Sequence, residues 1–130
     1  MKRIIQTDKA PAPIGPYSQA VEFGNTLYVS GQVAIDPVSN EVIQGEIEDE
    51  AHLVMKNISA ILGEAGYALG DIVKTSIFLS DMALFARVNA VYGSYFEDDF
   101  PARETVAVKG LPKNVNVEIT VIACKTLADG

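Results

Sequence analysis

The chain has 130 residues, of which 48 % are hydrophobic and 21 % are charged, and its formal net charge is −7. This length predicts a single domain over residues 1–130, and the composition is that of a globular protein without a disordered tract. No run of basic residues is longer than the Lys2-Arg3 pair. The charge therefore argues against a partner held through its phosphates, whether a nucleic acid or an anionic membrane.

Cysteine usage and hydropathy indicate the compartment. The one cysteine, Cys124, excludes a disulfide within the chain and favours a reducing environment. The first 15 residues begin like a signal peptide but reach Asp8 and Lys9 before an apolar core has formed. No apolar stretch approaches the about 20 residues that span a bilayer. We therefore expect a cytoplasmic protein without a membrane partner.

In chain order, the predicted elements begin with an extended loop and a strand pair. Residues 10–16 contain three prolines and cannot form a regular element. The segments 18–24 and 26–31 are predicted to be strands of a tight hairpin that turns at a Gly-Asn pair. A turn at 36–40 then leads into a short strand at 41–43.

Helical periodicity appears twice. From Ala51 an apolar stripe repeats at helical spacing and stops at Gly66, which fits a C-cap. Acidic residues crowd its first turn, where the helix dipole favours them, and we expect them to be solvated. They are Glu46, Glu48, Asp49 and Glu50. A second helix follows a strand at 72–79, with Asp81 as its N-cap. Its predicted buried face comprises Phe85, Val88, Tyr92 and Phe96.

Two strands, at 103–108 and 115–125, close the chain, and the whole pattern predicts an α+β fold. If these strands form a hairpin with their valines on the core face, Thr105 lies opposite Glu118. Arg103 is then one pair further along on the same face, within about 5–8 Å of Glu118. We therefore expect Arg103 and Glu118 to be neighbours.

The pattern alone leaves two interpretations of these charges open. Arg103 and Glu118 form an exposed ion pair worth less than ~1 kcal/mol, or Arg103 binds a ligand carboxylate while Glu118 acts as a base. Asn89 lies at the edge of the buried stripe of the second helix. It is either a polar residue at the rim of that stripe or a hydrogen-bonding group of the same site.

Five separated motifs resemble the RidA/YjgF/UK114 family over essentially the whole chain. They are PIGPYSQAV, YVSGQV, RVNAVYGSYF, FPARETV and VNVEITVIA. The resemblance implies a chorismate-mutase-like fold, in which a mixed β-sheet is backed by two helices, and a homotrimer with ligand sites between its subunits. It also implies an enamine/imine deaminase that needs no cofactor or metal. Such enzymes hydrolyse 2-iminobutanoate and 2-iminopropanoate, released by pyridoxal-phosphate enzymes, to 2-oxo acids and ammonia.

Carried over residue by residue, the resemblance gives Arg103 the substrate carboxylate and Glu118 the activation of water. The residues that match the lining of the same cleft are Tyr17, Ser30, Gly31, Asn89 and, through its main chain, Thr105. Position 105 is often cysteine in the family, so Thr105 removes thiol chemistry. Glu104 stands where a small residue is usual, and we expect its carboxylate to compete for Arg103 or to narrow the substrate range.

Two other functions stay open at this point. One is an endoribonuclease or translation inhibitor, an activity associated with some relatives, and the other is a non-catalytic module that binds a 2-oxo acid. The acidic charge and a single histidine, His52, without a partner at catalytic or metal-ligand spacing weigh against the ribonuclease. Glu118 weighs against the module, since a sensor needs the arginine but not the base.

Overall fold

The computed structural model describes residues 1–126 as a six-stranded mixed sheet with two helices. The elements are β1 (Lys2–Ile5), β2 (Ala20–Phe23), β3 (Thr26–Gln32), α1 (Ile47–Ala65), β4 (Ile72–Leu79), α2 (Phe85–Gly93), β5 (Ala102–Ala107) and β6 (Val117–Cys124). The strand order is β1-β2-β3-β6-β4-β5. β5 runs parallel to β4, and the other neighbouring strands are antiparallel. The α+β prediction is confirmed.

The amino-terminal strands form a meander. The hairpin of β2 and β3 is confirmed, and Gly24 turns it with a φ of 65°. β1, which pairs antiparallel with β2, was not predicted because only Ile5 of its four residues is buried. The strand predicted at 41–43 is reduced to one isolated bridge between Ile35 and Val42.

Helix α1 is longer than its predicted stripe. It begins at Ile47 instead of Ala51, and the Asp49 carboxylate accepts a hydrogen bond from the main-chain nitrogen of Glu46 at 3.2 Å. Gly66 ends it in the left-handed conformation with a φ of 85°, as expected of a C-cap. The apolar face of α1 forms the centre of the core.

The acidic first turn of α1 is not simply solvated. Glu50 is buried, and its carboxylate accepts hydrogen bonds from the side chain of Asn116 at 2.7 Å and from the main-chain nitrogen of Asn116 at 3.2 Å. It thereby ties α1 to the loop before β6. Glu46 is exposed and Glu48 is partly exposed, but both accept hydrogen bonds from Arg87 of α2. The expectation of free solvation is wrong for Glu50, because an apolar-spaced position can also bury a paired carboxylate.

The segment from β4 to α2 matches its prediction closely. β4 spans the predicted residues, and the Asp81 carboxylate accepts a hydrogen bond from the main-chain nitrogen of Ala83 at 2.8 Å. This cap opens a 3₁₀ turn that runs into α2. On the predicted face, Val88 and Tyr92 are buried and Phe85 is partly buried. Phe96 is also partly buried, but α2 ends at Gly93, so its placement on this helix is wrong.

The predicted hairpin of the last two strands is wrong, because β4 lies between β5 and β6. Alternating valines determine which residues share a face, but they do not determine which strand is the neighbour. The chain leaves β5 through residues 108–116, passes β4 and returns antiparallel on its other side. A 3₁₀ turn at Pro112–Asn114 lies in this connection.

This strand order places Arg103 and Glu118 on opposite faces of the sheet. Thr75 of β4 aligns with Arg103 on one side and with the buried Val121 on the other, on the face that the helices cover. Phe78, three residues later in β4, aligns with Glu118 on the uncovered face. The expectation that the two charges share a face is therefore wrong, and so is the cross-strand ion pair.

Among the described residues, no helix combines the length and the apolar character that a membrane span requires.

Candidate functional site

Most of the residues predicted to form one site line two separate pockets. Tyr17, Gly31 and Glu118 line the first, the Glu118 pocket, which has a volume of about 50 Å³. Asn89 and Arg103 line the second, the Arg103 pocket, which has a volume of about 330 Å³. The further walls of the Glu118 pocket include Pro11, Ile14 and Pro112, and those of the Arg103 pocket include Tyr92, Phe100 and Pro101.

The guanidinium of Arg103 lies over two aromatic rings instead of beside a carboxylate. Its central carbon is 5.2 Å from the ring centroid of Tyr92 and 5.7 Å from that of Phe85, both on α2. No ion pair forms between Arg103 and a carboxylate of residues 1–126. The N–H donors of Arg103 are thus available for an anionic ligand, and a cation over aromatic faces is itself favourable by about 0.5–2 kcal/mol.

Glu104 does not compete for Arg103. Successive residues of a strand point to opposite faces, and Glu104 lies on the uncovered face. There its carboxylate pairs with Lys74 at 3.0 Å and accepts a hydrogen bond from Ser76. These contacts lower the pKa of Glu104, chiefly through the Ser76 hydrogen bond and then through Lys74. The expected competition is wrong for this chain.

Glu118 has the properties expected of a general base. Its side chain is half-buried, and no hydrogen bond to it forms from any side chain of residues 1–126. Burial without a compensating donor or cation raises the pKa of Glu118 above the ordinary carboxyl value. A carboxylate that lines a pocket and whose pKa is raised in this way is suited to general base catalysis.

A β-bulge in β3 makes room for the Glu118 side chain. The pairing of β3 with β6 is regular up to Val29 and resumes at Gln32, so Ser30 and Gly31 have no partner residue in the ladder. A Cβ atom on Gly31 would lie 2.5 Å from Oε2 of Glu118 and 2.8 Å from its Cδ. Only glycine therefore leaves the carboxylate where it is.

Ser30 serves the bulge more directly than the pocket. Its hydroxyl donates a hydrogen bond to the main-chain oxygen of Ser18 at 2.6 Å, and its nitrogen donates to that of Gln19 at 2.9 Å. The hydroxyl can still accept one hydrogen bond from a ligand. Ser30 adjoins the Glu118 pocket through its neighbour Gly31.

The proline-rich loop forms the outer wall of the Glu118 pocket, and Gln19 holds it in place. Gln19 is only 2 % exposed, and its side chain accepts a hydrogen bond from the Thr7 nitrogen at 2.7 Å. It donates to the main-chain oxygens of Thr7 and Pro11 at 3.0 and 2.9 Å. At the end of this wall Tyr17 is half exposed, and its hydroxyl accepts a hydrogen bond from the Ile14 nitrogen at 3.2 Å.

Asn89 and Thr105 complete the predicted set. Asn89 is exposed at the rim of the Arg103 pocket, where its amide is free to bind a ligand. Thr105 lines neither pocket, and its hydroxyl oxygen is buried without a hydrogen-bond partner among the described residues. A contact between the Thr105 hydroxyl and Glu118 is absent, because the two residues lie on opposite faces.

Sequence reasoning missed the residues that support the site. Tyr92 was recognised as a buried helix residue but not as a neighbour of Arg103, although its spacing of three from Asn89 placed both on one side of α2. Gln19 carried a weaker signal, a long polar residue between a proline-rich loop and a strand. The bulge at Ser30 and Gly31 was signalled only by a glycine near the end of a strand.

The fold and the two pockets define a class of protein, a small α+β chain with an arginine in one pocket and a glutamate in another. Within residues 1–126 neither charge has an ion-pair partner. A family model described as Endoribonuclease L-PSP matches residues 7–125. The chain belongs to this family, which is the RidA/YjgF/UK114 family indicated by the sequence motifs.

Relatives from distant organisms span nearly the whole chain. A RutC family protein of Pyrococcus horikoshii is 50 % identical over 96 % of this chain and 99 % of its own length. The 2-iminobutanoate/2-iminopropanoate deaminase of Mus musculus is 45 % identical over 95 % of this chain and 91 % of its own. The crystal structure of Escherichia coli TdcF with bound serine superimposes with a TM-score of 0.91 at 39 % identity, over 95 % of this chain and 99 % of that one.

Proposed function

We propose that this protein is a deaminase of 2-imino acids that hydrolyses 2-iminobutanoate and 2-iminopropanoate to the corresponding 2-oxo acids and ammonia. The observation that carries the proposal is the pair of pockets: Arg103 presents free donors in one, and Glu118 presents a carboxylate of raised pKa in the other. The name of the mouse relative supports the same reaction.

The opposite placement of Arg103 and Glu118 supports a site that is completed between subunits. In one chain the two groups are separated by the sheet, so they cannot act on one small substrate. We propose a homotrimer with the chorismate-mutase-like arrangement, in which the Arg103 pocket of one subunit adjoins the Glu118 pocket of the next.

The uncovered face of the sheet supports this assembly. It carries large apolar side chains without a covering layer, and Phe23 is 61 % and Tyr28 51 % exposed. Val106 and Ile122 continue the same face. Apolar patches of this kind on a small domain mark protein–protein contacts.

The two groups divide the chemistry of hydrolysis between them. Arg103 holds the substrate carboxylate and orients the protonated C=N bond. Glu118 takes a proton from a water molecule as its oxygen attacks the imine carbon, which yields a carbinolamine. Glu118 then returns that proton to the nitrogen. The C–N bond breaks as the hydroxyl gives its proton to the Glu118 carboxylate, which yields the 2-oxo acid. Ammonia then takes that proton and leaves as ammonium.

The remaining predicted residues have supporting roles in this proposal. Tyr17 closes the Glu118 pocket, and the Ser30 hydroxyl and the Gly31 main chain at the bulge offer polar groups to the substrate. Asn89 binds from the rim of the Arg103 pocket, and Thr105 contributes its main chain. The single cysteine agrees with the reducing conditions of the cytoplasm, where we place this activity.

The test is a threonine dehydratase reaction in which 2-iminobutanoate is released and hydrolyses spontaneously. Addition of the protein is expected to accelerate the release of ammonia and to reduce the amount of imine that semicarbazide traps. Protein inactivated by heat serves as the control. Equal ammonia release with and without the folded protein would contradict the proposal.

The alternatives make different predictions in the same experiment. A 2-oxo-acid-binding module would bind 2-oxobutanoate without accelerating ammonia release. A ribonuclease would need a nucleic-acid surface and a second catalytic group near His52. His52 is the single histidine of the sequence, and its exposed ring has a nitrogen 2.8 Å from the Tyr95 hydroxyl.

A further inference from the structure

We infer that Tyr92, anchored by Thr75, is a positioning residue that fixes the Arg103 guanidinium for a substrate carboxylate. The inference rests on the proposed role of Arg103 and adds the element that sets its orientation. Nothing in the sequence motifs distinguishes Tyr92 from an ordinary core tyrosine.

The contacts of Arg103 identify the rings as the groups that hold it. The guanidinium carbon lies 5.2 Å from the Tyr92 centroid and 5.7 Å from the Phe85 centroid. No hydrogen bond joins its side chain to another part of residues 1–126, so no polar contact within the described chain competes with the rings. Attraction between a cation and a ring face engages the charge and leaves the N–H donors free.

Tyr92 is itself rigidly held. It is 4 % exposed, and its hydroxyl donates a hydrogen bond to Oγ1 of Thr75 at 2.9 Å inside the core. The Phe96 ring also packs against it, with its centroid 5.0 Å away. A ring fixed at its hydroxyl end and along its side gives Arg103 a defined surface.

Thr75 links the ring to the strand that carries the arginine. It is completely buried and is the β4 residue that aligns with Arg103 in the parallel pair. The ring therefore bridges from one strand to the side chain that projects from the next. This closed arrangement orders a flexible arginine before the ligand arrives, which reduces the entropy lost on binding.

Three variants test the inference. Tyr92→Leu removes the ring, Tyr92→Phe keeps the ring but removes the anchor, and Thr75→Val removes the partner of the hydroxyl. The matched control is Tyr67→Leu. Tyr67 is also a buried tyrosine with a cation over its ring, Lys125 at 4.4 Å, and its hydroxyl donates to Glu22 at 2.7 Å. It lines neither pocket.

Two measurements do not require turnover. The first is calorimetric titration with 2-oxobutanoate, and the second is the NMR signal of the Arg103 Nε–H group, which a nearby ring shifts upfield. We expect Tyr92→Leu to weaken 2-oxobutanoate binding roughly tenfold and to reduce the upfield shift to the part that the Phe85 ring causes. Tyr92→Phe is expected to retain the shift and to weaken binding about threefold, as is Thr75→Val.

Kinetics separate positioning from a merely structural role. Loss of orientation raises KM for the imine by about the same factor as the dissociation constant, while kcat changes little, because Arg103 holds the carboxylate before and during the reaction. Loss of folded protein lowers kcat and leaves KM unchanged. We expect Tyr67→Leu to follow the second pattern.

The outcomes are separable from those of the proposed function. If the wild-type protein binds 2-oxobutanoate but does not accelerate ammonia release, the proposed deaminase activity is contradicted. The titration and the NMR signal still test the positioning role of Tyr92 in that case. Unchanged binding in folded Tyr92→Leu overturns the inference, and so does an Arg103 signal without an upfield shift. Equal losses in Tyr92→Leu and Tyr67→Leu overturn it as well.

Discussion

Arg103 carries a positive charge that no carboxylate of residues 1–126 pairs with, and its donors face an open pocket. We expect Arg103→Lys to fail nearly as badly as Arg103→Ala, because lysine keeps the charge but lacks the planar pair of donors. The expected loss in kcat/KM is about 30- to 5,000-fold, which corresponds to roughly 2–5 kcal/mol.

The matched control for this prediction is Arg87→Lys. Arg87 makes three hydrogen bonds to Glu46 and Glu48 on the outside of the helices and lines neither pocket. The coupled ammonia assay should show wild-type kcat/KM for it. Full activity in Arg103→Lys would remove the arginine from the proposed mechanism.

Glu118 should determine the acid side of the pH profile. Because burial raises its pKa, protonation removes the base at a higher pH than an ordinary glutamate would. We expect kcat/KM to decline as the pH falls through this raised pKa. Glu118→Gln should lose about 10²-fold or more in kcat and still bind 2-oxobutanoate. A profile that Glu118→Gln leaves unchanged would assign the base to another group.

The same shift has a consequence for stability. The folded-state pKa of Glu118 exceeds its unfolded-state value, so the folded protein binds the proton more tightly and loses stability as the pH rises through that pKa. Glu118→Gln should therefore be more stable than wild type at neutral pH. The difference should vanish below the unfolded-state pKa, as measured by denaturant unfolding at a fixed protein concentration.

Substitutions at Thr105 test the effect of having threonine at a position that is often cysteine in the family. Its hydroxyl is buried without a partner in the described chain, which costs about 1–3 kcal/mol relative to a satisfied group. We expect Thr105→Val to raise the unfolding free energy by about 1 kcal/mol and Thr105→Cys to be nearly neutral. Both should keep substantial deaminase activity, and a hundredfold loss in Thr105→Val would show that the hydroxyl is required.

The bulge in β3 sets the position of the proposed base, Glu118. Gly31→Ala would place a methyl group on the Glu118 carboxylate and push it out of place. We expect a fall in kcat of tenfold or more, since a misplacement of about 1 Å can cost 10²-fold.

Gly63→Ala is the control for the bulge, because Gly63 lies in α1 and a Cβ atom added there would meet no neighbouring group within 4 Å. That change should stabilise the protein by about 0.5–1 kcal/mol without affecting activity. If both alanine variants are fully active, the bulge does not position the base.

The elements show where sequence reasoning succeeds. The stripe of α1, the cap at Gly66 and the span of β4 follow from local periodicity and turn chemistry. Arg103 and Glu118 stand out as candidate site residues in the sequence because each is a charged residue within a predicted strand. The prediction that they share one face of a hairpin is wrong. The alternating pattern shows which residues of a strand share a face, but the neighbouring strand depends on contacts between residues distant in sequence.

The uncovered sheet face predicts that the protein assembles into the proposed homotrimer. Light scattering at micromolar concentration should give three times the chain mass of 13.9 kDa. A monomer at that concentration would contradict the proposed trimer.

A mixture of two inactive variants tests the division of the site between subunits. When Arg103→Ala and Glu118→Gln chains are unfolded, mixed equally and refolded, about a quarter of the interfaces should combine an intact arginine with an intact glutamate. Ammonia release should therefore recover to roughly a quarter of the wild-type rate. Each variant refolded alone is the control, and no recovery in the mixture would place both groups of each site in one chain.

The placement of Arg103 and Glu118 on opposite faces of one sheet also makes activity depend on the concentration of the protein. If neither group acts without a neighbouring chain, the rate per chain depends on the fraction of the protein that has associated. Dilution below the dissociation constant of the assembly then abolishes the activity. Around that threshold, activity rises more steeply than the amount of protein made. A modest change in synthesis would then produce a disproportionate change in the capacity to remove imines.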